Sequence, residues 1–199
     1  MSIGQIADEL DIAKSSVQVA YPRKEDLQIA TITAATNIFV SAVIAPALSQ
    51  PKGLQRLLAL IDNWVEYISN RVLPGGCFMG ATFAEFDSKP GPVRDALADT
   101  RKQWLGLIER EAAAAQSADQ VPAELPAPLL AFEIDALLGA ANIARNLHDD
   151  ENALHLARQI IQLRLGIHTT GTAPITTNRP PILNQTATPA GRSLRSEPR

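Results

Sequence analysis

The sequence predicts an all-α fold, and three observations carry that prediction. Apolar residues recur at spacings of three and four instead of alternating. Val and Ile fall inside long Ala- and Leu-rich stretches, not in short strand-length runs. Proline or glycine punctuates most of the gaps, as at Pro74-Gly75-Gly76, at Pro90-Gly91-Pro92 and between Pro122 and Pro128. With 199 residues, 46% of them hydrophobic and 20% charged, the chain suits one domain, or a small module joined to a larger one, with ample core. That apolar fraction excludes a wholly disordered chain, and the single cysteine, Cys77, excludes a disulfide-stapled scaffold and points to a reducing, cytoplasmic compartment. Met1 leads straight into Ser2-Ile3-Gly4-Gln5 without a basic region followed by an apolar one, so no signal peptide is expected.

The first short helix is expected to start at Ser2, whose hydroxyl caps it while Gln5 reaches back, with Ile3, Ile6, Ala7 and Leu10 on the buried side. Asp11-Ile12-Ala13 makes a tight turn, and a second short helix runs over 14–20 until Pro22 stops it. A third begins near Arg23 and extends to about Ala45, where Pro46 and Pro51 break the chain. Five more follow at about 53–72, 80–86, 92–116, 128–147 and 151–165, with no internal repeat. No charge occurs between Asp26 and Lys52, but Gln28, Thr31, Thr33, Thr36, Asn37, Ser41 and Pro46 interrupt this run. Burying that many polar groups in lipid is costly, so a core helix and no membrane contact are expected. The last 31 residues, 169–199, are Thr- and Pro-rich with neither period and carry a local charge of +3, which reads as a disordered basic tail.

Two short helices joined by a three-residue turn suggest helix-turn-helix, although such pairs also occur as plain structural units. The residues add to this. Ile3-Gly4-Gln5-Ile6-Ala7-Asp8-Glu9-Leu10-Asp11-Ile12-Ala13-Lys14-Ser15-Ser16-Val17, then Tyr21-Pro22-Arg23-Lys24-Glu25-Asp26-Leu27, resembles the DNA-binding segment of the TetR/AcrR family of bacterial transcriptional regulators. Gly75-Gly76-Cys77-Phe78 and the stretch from Ala84 to Leu97 resemble the regulatory domain of one TetR subgroup. The resemblance spans about Ser2 to Leu165. It implies three parts: a helix-turn-helix segment at 1–30 that lacks the family's usual first helix, a helical effector-binding and dimerisation domain at 31–168, and the tail at 169–199.

Carried over by position, the resemblance puts Lys14, Ser15, Ser16 and Gln18 on the recognition helix. Gln18 suits an adenine edge, and Lys14 a guanine or a phosphate. Tyr21 and Lys24 match the family's core-and-backbone anchors, and Ser2 is placed either for a phosphate or simply as a helix cap. Gln18, Val19 and Ala20 replace residues that are usual there, Ala13 leaves the recognition helix without a good cap, and residues 1–28 carry a net −2 where counterion release rewards a basic face. For the effector, Trp64, Tyr67, Cys77, Phe78, Phe83, Trp104 and Asn142 supply apolar bulk with a few polar handles, as do Met79, Ile108 and Phe132. Each of these also suits a plain core, and Cys77 suits either redox sensing or simple burial.

The last two helices fit a homodimer interface or an intramolecular core through Leu130, Ile134, Leu137, Leu138 and Ala141, with Leu154, Ala157, Ile160, Ile161 and Leu165. No nucleophile elbow, phosphate loop or His-Glu-x-x-His occurs, so no enzyme and no cofactor are expected. His148-Asp149-Asp150-Glu151 with His155 is the strongest metal candidate, but acidic residues there also suit a helix start. The expectation is a ligand-responsive repressor that binds an operator in double-stranded DNA as a homodimer and answers to a small, mostly apolar effector. The alternative is a TetR-type ligand-binding or dimerisation module that has lost DNA binding.

Overall fold

The computed structural model describes residues 3–167; Ser2 and the tail at 169–199 lie outside the described residues. Every regular element among them is helical, as expected. Helices α1 (Ile3–Glu9) and α2 (Lys14–Ala20) form a pair around Ala7 and Val17, the buried residue of each. The chain reverses between them with Asp11 in the left-handed region (φ 51°), and the Ile12 N–H donates to the Ala7 carbonyl at 2.9 Å. No side chain caps α2, whose first turn follows Ala13.

Helix α3 (Lys24–Phe39) is started by a reciprocal cap between Arg23 and Asp26: the Arg23 backbone N–H donates to Asp26 at 3.1 Å and its guanidinium forks onto the same carboxylate. The polar residues that interrupt its apolar run are absorbed locally. Thr31, Thr33 and Thr36 donate to the carbonyls four residues back, at 2.8, 3.0 and 2.8 Å.

Pro46 does not end this helix, contrary to expectation. The chain widens into a π-helical turn at Val40–Ile44, closed by an Ala45 N–H to Val40 carbonyl bond, and continues as α4 (Ala45–Leu48). Proline lacks the N–H that would bond four residues back, and the wider turn just upstream accommodates that loss.

Helices α5 (Leu54–Ser69), α7 (Pro92–Ser117), α8 (Ala127–His148) and α9 (Asn152–Arg164) enclose the main core, where Leu57, Ile61, Ile108, Leu130, Ile134, Leu138 and Ile161 are fully buried. Gly53 opens α5 at φ 92°, and its N–H donates to the buried carboxylate of Glu111, itself paired with Arg56 at 3.3 Å. A second core joins α3 to α6 (Phe78–Phe86) and to the start of α7 through Ile32, Ala35, Met79, Val93 and Leu97. This contact ties the segment after the α1–α2 pair to the main bundle.

The stretches Lys24–Leu48 and Ala127–His148 are both long and apolar enough to cross a membrane on length and composition. In α8 the reason is visible, because its apolar residues form two stripes. One faces the core; the other, Leu129, Phe132, Ile143 and Leu147 with Ala136 and Ala140 between, is exposed.

Candidate functional site

The exposed surface of α2 follows from helical spacing about its one buried anchor. With Val17 turned inward, Ser15, Ser16, Gln18 and Val19 are exposed, and Lys14 lies exposed at the helix start. Val19 is 81% exposed, so the helix presents one methyl-bearing side chain beside an amide and hydroxyls. Tyr21 is partly buried, its N–H donating to the Val17 carbonyl at 2.8 Å, and Lys24 is exposed at the start of α3.

A cavity of about 1690 Å³ opens between α3, α5, α6, α7 and α8. Phe39 of α3, Val40 of the π-turn, Trp64 of α5, Met79 and Phe83 of α6, Leu97 and Trp104 of α7 and Leu138 of α8 give it an apolar, aromatic wall. Phe39 holds that wall together, with Tyr67 and Trp104 both edge-on to its ring at 5.7 and 5.3 Å. Inside this wall lies one charged pair: Arg101 Nη2 donates to Asp135 Oδ2 at 2.5 Å, with the guanidinium also 5.9 Å from the Phe83 ring centre. Arg101 is exposed, as are the other charges on the lining, Asp87, Arg94, Asp99, Lys102, Glu109 and Arg110, whereas Asp135 is partly buried.

The loop before α6 is fixed by α8. Asn142 accepts from the Cys77 N–H at 3.0 Å, and Asn146 donates to Gly75 and to Asn142, each at 3.0 Å. Burial pushes the Cys77 thiol up from its ordinary value, and the Asp135 charge adds to the effect, so the thiol is protonated at neutral pH. Burial likewise raises the Tyr67 phenol to about 12. Below this loop Arg145 is 3% exposed. Its Nη2 donates to the Ser69 carbonyl and pairs with Glu151, both at 3.1 Å, while its Nε and Nη1 are buried without partners.

The family described as "Tetracyclin repressor-like, C-terminal domain" matches residues 53–161, over half of the chain. The chain belongs to the TetR family. Its fold is similar to that of TetR-family regulators from Agrobacterium tumefaciens (TM-score 0.74, 17% identity, 83% of this chain and 86% of that one) and Chloroflexus aurantiacus J-10-FL (0.72, 18%, 83% of each). It is also similar to AibR, solved with isovaleryl coenzyme A and operator DNA (0.62, 14%, 83% of this chain and 87% of that one). No curated protein matches the sequence.

Of the residues expected at a TetR-type effector pocket, the cavity brings together Trp64, Cys77, Phe83 and Trp104, with Met79. Tyr67 stands behind Phe39, Phe78 packs on the second core, and Asn142 holds the loop, so these three do not line the cavity. Ile108 is in the main core and Phe132 is on the outer surface of α8. Phe39, Val40, Arg101 and Asp135 line the cavity and were missed. Only their i, i+3 and i+4 relation to core residues such as Ala35, Leu97 and Leu138 could have shown them.

The apolar residues expected at a subunit interface need correction. Leu130, Ile134, Leu138, Ala141, Leu154, Ala157, Ile161 and Leu165 are buried within the chain itself, and Leu137 is half-buried. Only Ile160 is exposed. The apolar surface that remains uncovered is the opposite one, Leu129, Phe132, Ile143 and Leu147 of α8 with Ile160 and Leu163 of α9. At the strongest metal candidate of the sequence, Asp150 accepts the Asn152 N–H at the start of α9, and Glu151 pairs with Arg145.

Proposed function

We propose that this TetR-family chain is a cytoplasmic, non-enzymatic, ligand-responsive repressor that reads DNA through α2 as a homodimer and is released by an effector in the cavity. The observation that carries this reading is the course of α3. It follows the recognition helix after three intervening residues, runs without a break to Phe39 and passes into the π-turn at Val40, and both of these residues stand in the cavity wall. A ligand wedged against Phe39 therefore pushes on the rod that carries α2, and the π-turn at Val40–Ile44 gives that rod a place to yield. The boundary between the DNA-reading part, 1–30, and the effector part, 31–168, then lies within one helix, which suits mechanical coupling.

On DNA, Gln18 faces an adenine edge, Val19 a thymine methyl, and Ser15, Ser16, Lys14 and Lys24 phosphates or base edges. Tyr21 braces the end of the helix, and Ser2 is assigned to a phosphate. Dimerisation through the outer stripe of α8 and α9 supports this, because Phe132 (62% exposed) and Leu147 (71%) leave a contiguous apolar surface that a second copy would cover. Two recognition helices then sit about 34 Å apart, one DNA turn. The AibR structure, which holds an acyl coenzyme A and operator DNA, is the nearest support for a ligand-and-DNA reading.

The test is fluorescence anisotropy with labelled DNA from upstream of the protein's own gene. Specific, salt-sensitive binding that survives competitor DNA and is lost in Gln18→Ala is expected. A folded dimer with no DNA binding would favour the ligand-binding module, the reading to which the net acidic charge of residues 1–28 lends weight.

A further inference from the structure

Beside the aromatic part of the cavity wall one cation is held in place with donors to spare, and that has a chemical meaning. Three arginines of this chain grip a carboxylate with two nitrogens: Arg23 on Asp26, Arg158 on Asp62 and Arg164 on Glu133. Arg101 lines the cavity along with the exposed cations Arg94, Lys102 and Arg110; its side chain is 44% exposed, and among these four it is the one that pairs with an acid of the lining, meeting Asp135 through Nη2 only. Its Nε and Nη1 donate to no group among the described residues, although the guanidinium is held in place by Asp135 and the Phe83 ring.

Two more residues that carry a donor line the same space. Trp64, 4% exposed, and Trp104 both line the cavity, and neither indole N–H donates to any group among the described residues. An indole can only donate, and so can a guanidinium. The hydroxyls of Thr36 and Thr100 have already given their protons to the Ile32 and Ala96 carbonyls. What the wall offers a ligand is therefore a charged, planar donor edge and two neutral donors set among aromatic rings. Asp135, the acid beside the guanidinium, already has its countercharge, and the other acids of the lining, Asp87, Asp99 and Glu109, are exposed.

We propose that the effector is an amphiphilic organic acid, its carboxylate on the open edge of the Arg101 guanidinium and its apolar body against Trp104, Phe83 and Phe39. This rests on the reading of the cavity as the effector site. A carboxylate accepts two parallel N–H bonds from a guanidinium edge, whereas an alcohol offers one weak partner and an ammonium none. At more than the ~300–1,000 Å³ of ordinary ligand pockets, the cavity has room for a long or branched chain. The acid also competes with Asp135 for the guanidinium, which loosens the link between α7 and α8 when ligand binds.

The two tryptophans of the chain are the two in the cavity wall, so intrinsic fluorescence reports its occupancy directly. Dodecanoate, dodecanol and dodecylammonium, each below its micelle concentration, match in chain and differ in head group. The expected result is dodecanoate binding about tenfold or more tighter than either of the others, a preference that Arg101→Gln removes without changing dodecanol binding. Asp135→Asn breaks the same ion pair but keeps the guanidinium, so it separates loss of the charge from loss of the fold. This variant is expected to bind dodecanoate as tightly as the unchanged chain, or tighter. Equal binding of all three, preference for dodecylammonium, or an undiminished preference in Arg101→Gln would overturn the proposal while leaving the cavity reading intact. Failure of all three to bind would overturn both.

Discussion

Gln18, Ser15 and Val19 stand in solvent on α2 because Val17 is the one side chain of that helix turned inward. Contacts of such residues with bases and phosphates separate experimentally. Gln18→Ala should cost about 1–3 kcal/mol of specific binding and relax preference at one base pair, whereas Lys14→Ala should weaken binding to all sequences and reduce the salt slope by about one. Anisotropy titrations at several salt concentrations distinguish the two. Cys77 makes a different prediction. Its thiol is held protonated by burial, so iodoacetamide should alkylate it more slowly than glutathione at the same pH, which argues against a role in electrophile sensing. Tyr67 carries a pH signature. Its phenol ionises near 12 in the fold against about 10 in an unfolded chain, so the stability it contributes is complete below pH 10 and lost as pH rises through 12. Thermal melts should show a drop over that window that is smaller in Tyr67→Phe. At this scale the sequence revealed residue types better than their orientation. Trp64, Phe83 and Trp104 were legible as bulky aromatics, but whether Tyr67 faced the cavity or backed Phe39 depends on a single turn of α5, which no periodicity resolves.

Helix starts and stops were legible where chemistry marks them. The α2 bounds coincide with expectation because Pro22 follows it, and α7 begins at Pro92 as the Pro-Gly-Pro signal requires. Pro46 misled because its missing N–H is taken up by a π-turn, a device that leaves no mark in composition. The short loop before α6 yields the sharpest element-scale prediction. Gly76 is buried at φ 81°, and a Cβ there would lie 2.2 Å from Asn146 Nδ2 and 2.5 Å from Asn142 Oδ1. Gly76→Ala therefore strains the backbone and dislodges the amides that hold the loop to α8, and should destabilise the chain by more than about 1 kcal/mol. Denaturant melts of Gly75→Ala provide the comparison. That neighbour shares the positive φ (83°) but has open space around it, so the difference isolates the clash.

At the scale of the molecule, the all-α class and the family could be read from the chain, and the family match bears out a TetR-type regulator. What the sequence could not sort was which stripe of α8 faces inward, because both are apolar. Core and outer surface alternate around the helix as Leu130, Ile134 and Leu138 on one side and Leu129, Phe132 and Ile143 on the other, and hydropathy alone gives the two the same weight. The structure makes the distinction testable. Phe132→Glu with Ile143→Glu should convert a dimer to a monomer in analytical ultracentrifugation while helical circular dichroism is retained. Leu138→Ala, which empties a fully buried site, should cost about 2–5 kcal/mol of stability.

The central claim is that cavity and recognition helix are coupled through α3, and the direct measurement is DNA affinity with and without cavity ligand. Labelled upstream DNA is titrated with the chain, first alone and then with dodecanoate at a concentration that saturates the tryptophan signal. Coupling through α3 should lower DNA affinity about tenfold or more, an effect that Phe39→Ala blunts. Unchanged DNA affinity at full occupancy of the cavity would contradict it.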